Sequence, residues 1–145
     1  MKTAEPLINA DERRYSHSEL TEKIIAVFYE VYNELGYGFL ESVYEEAMYR
    51  ALCSRGLEVR RQVPVPVWFR GDRIGDFKAD LVAAESVLIE LKAARTFESA
   101  HEAQLLNYLR ATPIEVGLLL NFGPRPQIRR LVFSNERKKI SVYQR

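Results

Sequence analysis

Apolar residues recur at helical spacing through Ile24, Val27, Phe28, Val31, Tyr32 and Leu35, a single stripe that predicts an amphipathic helix. Ser18 can cap its start and Gly36 supplies its stop. Residues 1 to 16, polar, mixed and aperiodic, are expected to form a loose N-terminal arm ahead of one domain spanning 17 to 145. Tyr37-Gly38 turns the chain into a second helix over about residues 39 to 55, ending at Gly56. Along that helix Gly38, Glu41 and Tyr44 recur every three residues and Met48 follows four later, so they share one side. Leu40, Val43, Ala47 and Leu52 supply apolar packing, and Glu45 and Glu46 read as solvated helical glutamates.

From Leu57 to Phe69 the period falls to two, with valines alternating with Arg60, Gln62 and prolines, which is a strand. Pro64 and Pro66 lack donors on one and the same side, so this strand should lie at a sheet edge. Arg70-Gly71-Asp72 turns into a strand from about Ile74 to Ala83, and Glu85-Ser86 turns into another from Val87 to Ala93. Helical spacing returns from Phe97 to Ala111, with Ala100, Ala103, Leu105, Leu106 and Leu109 as packing positions. Thr112-Pro113 ends that helix, Glu115 to Phe122 reads as a buried strand, and Leu131 to Ser134 and Ile140 to Tyr143 read as shorter ones. A strand, helix, strand run after a three-stranded meander implies a right-handed crossover that lays the fourth strand parallel to the third. The expected class is α/β (α+β), a mixed sheet of about four to six strands flanked by helices in the order α-α-β-β-β-α-β-β.

Composition narrows the chemistry. At 145 residues the chain has the length of one ordinary domain. No apolar run approaches a membrane span and the first residues lack a signal pattern, so a cytoplasmic protein with no membrane partner is expected. One cysteine, Cys53, and two histidines, His17 and His101, cannot build a thiolate-rich zinc site, so any metal would be held mainly by oxygen. The net charge of +1 says little about partners. Its distribution says more, because basic residues outnumber acidic ones after residue 72, notably at Arg125, Arg129, Arg130, Arg137, Lys138, Lys139 and Arg145. Those residues suit either a solvated surface or a rim for phosphate.

The candidate chemistry lies in the hairpin from Asp80 to Lys92. Alternation places positions 88, 90 and 92 on one sheet face and Ile89 and Leu91 on the other, so Glu90 and Lys92 are charges among apolar neighbours. Paired strands lie about 5 Å apart, so Asp80 can converge on Glu90 if the register allows; a slip of one residue would turn it away. Asp76, four residues earlier, is a rival on the same face. Two such carboxylates repel unless a cation lies between them, and Mg2+, with Mn2+ as a substitute, favours oxygen ligands and retains waters. Trp68, Tyr37 and Phe69 can stack on bases, although packing is their ordinary role.

These residues resemble the PD-(D/E)XK nuclease superfamily: Glu41 on a helix, Asp80 on the second strand, Glu90-Leu91-Lys92 on the third, then a helix and a parallel strand. The chain is also similar to the narrower GxxExxY protein family through Gly38-Phe39-Leu40-Glu41-Ser42-Val43-Tyr44, with further agreement at Phe77 to Leu81, Ile89 to Ala93, His101 to Leu109 and Asn121-Phe122-Gly123. Ala79 stands where many superfamily members carry proline. The resemblance implies a restriction-endonuclease-like fold and a nuclease acting on nucleic acid; beyond the resemblance, DNA is expected ahead of RNA, with a homodimer as a further arrangement. It implies that Asp80 and Glu90 hold the metal with the Leu91 carbonyl, that Glu41 binds it through water or helps a second ion, and that Lys92 orients or helps deprotonate the attacking water. Gln104 and Tyr108 match the Gln-x-x-x-Tyr signature of RecB-like nucleases and share a helix face, which implies a place at the site. His101, three residues before Gln104, is a weaker candidate for contact with phosphate or metal. The competing readings are a non-catalytic nucleic-acid- or partner-binding module on the same fold, and a set of purely structural ion pairs.

Overall fold

The computed structural model of the chain describes residues 10–138. Two helices come first, α1 (Ala10–Leu35) and α2 (Glu41–Ser54), followed by strands β1 (Val59–Phe69), β2 (Asp72–Ala83) and β3 (Val87–Lys92). Helix α3 (Ser99–Arg110), strands β4 (Val116–Phe122) and β5 (Pro126–Val132) and a short 3-10 turn (Asn135–Arg137) complete the order. The sheet runs β1-β2-β3-β4-β5, antiparallel at every step except β3 with β4, which are parallel. That exception follows from α3, which carries the chain back across the sheet between them. β1 lies at an edge, as its two prolines require.

The two sheet faces are covered differently. Leu81, Ala83, Val87, Ile89 and Leu91 join alternate residues of β4 and the stripe of α1, from Ile24 to Val31, in one core. Val82, Leu88 and Leu119 join Leu105 and Leu109 of α3 in a second, on the opposite face. α3 sits close to the sheet because Gly117 has no side chain; a Cβ there would come within 3.0 Å of Leu105.

Several boundaries differ from the sequence reading, each for a local reason. α1 begins at Ala10, so residues 10–16 continue the helix rather than belong to an arm, and residues 1–9 lie outside the described residues. On α2 the buried side is Tyr44, Met48 and Leu52, while Leu40 and Val43 are exposed. The helix is rolled that way because Tyr44 stacks on Phe122 of β4, ring centroids 4.1 Å apart, and donates its hydroxyl proton to the Gly36 carbonyl at 2.6 Å. On α3, Ala100 and Ala103 face outward and the buried contacts fall to Leu105 and Leu109. β5 starts at Pro126 rather than Leu131: the turn at Gly123-Pro124-Arg125 is short enough to close a hairpin in which Phe122 faces Pro126. Proline is tolerated as the first residue of a strand, so the cluster that reads as a loop is the entry to an edge strand. The strand read at Ile140 to Tyr143 lies outside the described residues.

Candidate active site

The sheet comes apart locally at Asp80. β2 and β3 pair at Leu81 with Ile89, Val82 with Leu88 and Ala83 with Val87, and the ladder stops one step short of Asp80 and Glu90. There the side chains take over the role of backbone acceptors. The Asp80 amide donates to Glu90 Oε2 at 3.1 Å, and the Leu91 amide donates to Asp80 Oδ2 at 2.8 Å. On the other side of β2 the bridge between Asp80 and Gln62 is also missing, and Gln62 has φ 47, a left-handed conformation that costs a non-glycine residue on the order of 1–3 kcal/mol. Around this point the facing of both strands changes: Val59 and Leu81 pack against α1 and α2, whereas Val63, Phe77 and Ala79 pack toward α3. The hairpin therefore turns over at Asp80 and presents its carboxylate at the opening beside Glu90.

Burial and mutual repulsion set the electrostatics. Glu90 is 8% exposed, and burial first, then the Asp80 charge, push its carboxyl up to about 8, against a downward pull from the Asp80 amide and Lys92. Asp80 is also raised, by burial foremost and by the charges of Glu45 and Glu41, while the Leu91 amide and Gln62 act the other way. Tyr108 of α3 belongs to the same field: burial lifts its phenol, and the charges of Glu90 and Asp80 add to that, partly offset by a hydrogen bond from Gln104. Glu41, Asp80, Glu90, Lys92, Gln104 and Tyr108 thus act on one another at the C-terminal end of β3, although Glu41 itself is exposed at the first turn of α2. Asp76, the rival carboxylate, is exposed and ion-pairs with Arg73 at 2.8 Å. His101 closes the start of α3, its Nδ1 accepting the Glu98 amide at 3.2 Å.

Two residues read as ordinary polar positions belong to the surroundings of Asp80. Gln62 donates to Glu45 Oε1 at 2.7 Å and reaches toward Asp80 Oδ1 at 3.4 Å. Glu45 is not solvated: it keeps only 13% of its side chain exposed, held by Arg61 at 3.2 Å. The available signal was its place one helical turn after Glu41.

Asn121 opens the Asn121-Phe122-Gly123 motif, and its role is positional. It pairs with Lys92 across the parallel ladder and is fully buried. Its Oδ1 accepts the Ala94 amide at 2.9 Å, and its Nδ2 donates to the Ala94 carbonyl at 2.9 Å and to Gln127 at 3.0 Å. Gly123 lets that loop lie flat, since a Cβ there would meet the Ala94 carbonyl oxygen at 2.0 Å. The exit of β3 just beyond Lys92 is clamped by these contacts. Asn121→Ala is expected to cost on the order of 1–3 kcal/mol, because it takes the partner from the half-buried Ala94 amide and carbonyl, and to lower any activity that needs Lys92 in place. Urea unfolding beside a cleavage assay checks both effects.

The donor set suits a hard divalent cation. Two carboxylates whose ionised forms repel are stabilised by a cation shared between them, and both are oxygen donors. Among the described residues no three Asp, Glu, His or Cys side chains gather into one cluster.

A five-stranded mixed sheet, with α1 and α2 on one face and α3 on the other, is the restriction-endonuclease-like fold. The sequence matches the PD-(D/E)XK nuclease superfamily over residues 18–131, and the chain belongs to that superfamily, whose members generally hydrolyse phosphodiester bonds. The crystal structure of SSO0001 is similar in fold, with a TM-score of 0.53 at 17% identity, over 92% of this chain and 70% of that one. No curated protein matches the chain by sequence.

Proposed function

We propose that the protein is a metal-dependent nuclease that hydrolyses phosphodiester bonds, DNA ahead of RNA, with Mg2+ as the resident ion and Mn2+ as a substitute. One observation carries this reading: the sheet opens at Asp80 and Glu90, so two half-buried to buried carboxylates stand side by side with Lys92 two residues on along the same face. A purely structural ion-pair set would not leave both acids destabilised in their charged forms. A binding module that keeps the fold would gain nothing from acids beside phosphate.

Asp80 and Glu90 would hold the ion, with Glu41 and Glu45 contributing negative potential from α2. When bound, a divalent cation lowers the pKa of a coordinated water and offsets charge on the phosphate. The residues of the chain do the rest. Lys92 supplies a cation for the phosphate and orients the attacking water, and Tyr108, held by Gln104, flanks the acids on the α3 side. The Asn121 clamp fixes the end of β3 so that Lys92 and Glu90 keep their spacing. A single nuclease domain, a cytoplasmic setting and a homodimer belong to the same proposal. The described residues contain no helix long and apolar enough to cross a membrane.

The test is cleavage of labelled DNA with Mg2+ or Mn2+ against EDTA, beside calorimetric titration of Mn2+. Wild type should cut only with metal and bind the ion saturably, and Asp80→Ala should do neither. Cutting that survives EDTA, or Mn2+ binding unchanged in Asp80→Ala, would sink the assignment.

A further inference from the structure

A concavity of about 820 Å³ is lined by Tyr108, whose phenol lies in the field of Glu90 and Asp80. It lies between the tip of the β1–β2 hairpin and α3, and Gln104 lines it as well. Its walls are aromatic: Trp68 and Phe69 from β1, and Phe77 of β2, which stacks on Tyr108. Phe69 is 53% exposed, so the hairpin tip leaves an aromatic face in water. The register of β1 against β2 shifts between Val67 and Trp68, an irregularity that re-aims a side chain at this point.

The charge of the cleft is one-sided. Arg70 and Arg110 line it and no carboxylate does. Arg70 lies over the Phe69 ring and Arg110 over Phe133, and among the described residues neither is ion-paired with an acid. Arg60 and Arg61, at the other end of β1, are both tied to glutamates. Asn107, on the same helix as Tyr108, adds a donor and an acceptor to the wall.

We infer that this cleft receives the unpaired bases of a single-stranded nucleic-acid segment, stacked on Trp68 and Phe69 with phosphates against Arg70 and Arg110, and leads its backbone to the acid pair. A stacked, paired base hides its faces inside the duplex, so rings displayed at a surface can meet only a base that has left the stack. A protein or peptide partner would not need unpaired cations aligned with the rings, whereas a polyanion does. The volume falls in the range of a small-molecule site, enough for one or two nucleotides. The inference rests on the nuclease reading and adds to it a substrate class, single-stranded or end-frayed nucleic acid.

Trp68 is the only tryptophan, so its emission reports on this cleft. The full chain is titrated in EDTA, where the metal reaction is off, with an unstructured oligothymidylate of about eight nucleotides, within the usual single-strand site size. Saturable quenching is expected, with a blunt duplex of equal length at least about tenfold weaker. By anisotropy of the labelled oligonucleotide, Phe69→Ala should weaken binding about tenfold, and Arg70→Gln should reduce the salt slope by about one. Both positions are exposed, so the variants are expected to fold, which circular dichroism checks. Equal quenching by the duplex, or an oligothymidylate affinity untouched by both variants, overturns the inference. Because no metal is present, that result leaves the nuclease reading intact; conversely, binding of the oligonucleotide by a protein that cuts nothing with Mg2+ supports the cleft and defeats only the nuclease reading.

Discussion

Glu90→Gln is expected to abolish divalent-metal binding and cleavage while making the metal-free protein more stable at pH 8. The carboxyl ordinarily titrates near 4.5 and is pushed up to about 8 in the fold, by burial and by Asp80. A folded state that holds a proton more tightly than the unfolded chain has that stabilisation in full below pH 4.5 and loses it progressively as pH rises toward 8. Metal-free wild type should therefore weaken across this window, by an amount on the order of a few kcal/mol. Glutamine keeps an oxygen to accept the Asp80 amide and carries no charge, so the variant should lack the slope contributed by this group. Urea unfolding in EDTA at pH 5 and pH 8 reads the effect: the two proteins should nearly agree at the lower pH and separate at the higher, with the variant the more stable. Adding Mn2+ at pH 8 should then stabilise wild type and leave the variant unmoved. A variant less stable than wild type at pH 8 would show that Glu90 is stabilising as an anion, and the electrostatic account of the site would be wrong. Metal affinity in wild type should also rise between pH 6 and 8, because the ion must displace the proton.

Lys92→Met carries the second large effect, with the opposite pattern. The methionine preserves the aliphatic stem and removes only the ammonium group. Loss of the cation proposed to contact phosphate and orient water is expected to lower kcat about a hundred- to a thousandfold. Metal binding should survive, since Lys92 is not an oxygen donor. Its pH dependence should move upward, because the Lys92 charge is one of the influences holding the Glu90 carboxyl down. Single-turnover cleavage beside Mn2+ titration at several pH values separates the possibilities. Loss of cleavage with retained Mn2+ affinity fits a chemical role, loss of both fits a structural one, and unchanged cleavage removes Lys92 from the mechanism.

Much of this arrangement is written in local pattern. The stripe from Ile24 to Leu35, the two prolines of β1 and the Thr112-Pro113 stop each specify an element through neighbours a few residues apart, and the observed elements sit within a few residues of those positions for most of the chain. Where the boundaries differ, the deciding contacts are distant in sequence. Leu40 and Val43 look like core residues of α2, yet Tyr44 meeting Phe122 rolls the helix so that they face water. Gly123-Pro124-Arg125-Pro126 looks like a loop until β4 offers a ladder for β5. Glu45 looks like any surface glutamate until Gln62 and Arg61 of β1 arrive over it.

Local pattern alone carries the element order, the antiparallel meander with its parallel fourth strand, and the oxygen-donor residue types of the proposed site. Each of these depends on periodicity, turn chemistry or the inventory of donors, all carried by short stretches of chain. It could not choose between Asp76 and Asp80, because both lie on one strand with the same parity. Contacts between strands put Asp80 beside Glu90. β1 and β2 turn over at Gln62 and Asp80, the β2–β3 ladder ends one residue earlier, and two backbone amides that would otherwise be unpaired bind the two carboxylates instead. That outcome is a property of three strands at once: an amide left without a ladder partner must find another acceptor, and the acids nearest the opening are Asp80 and Glu90.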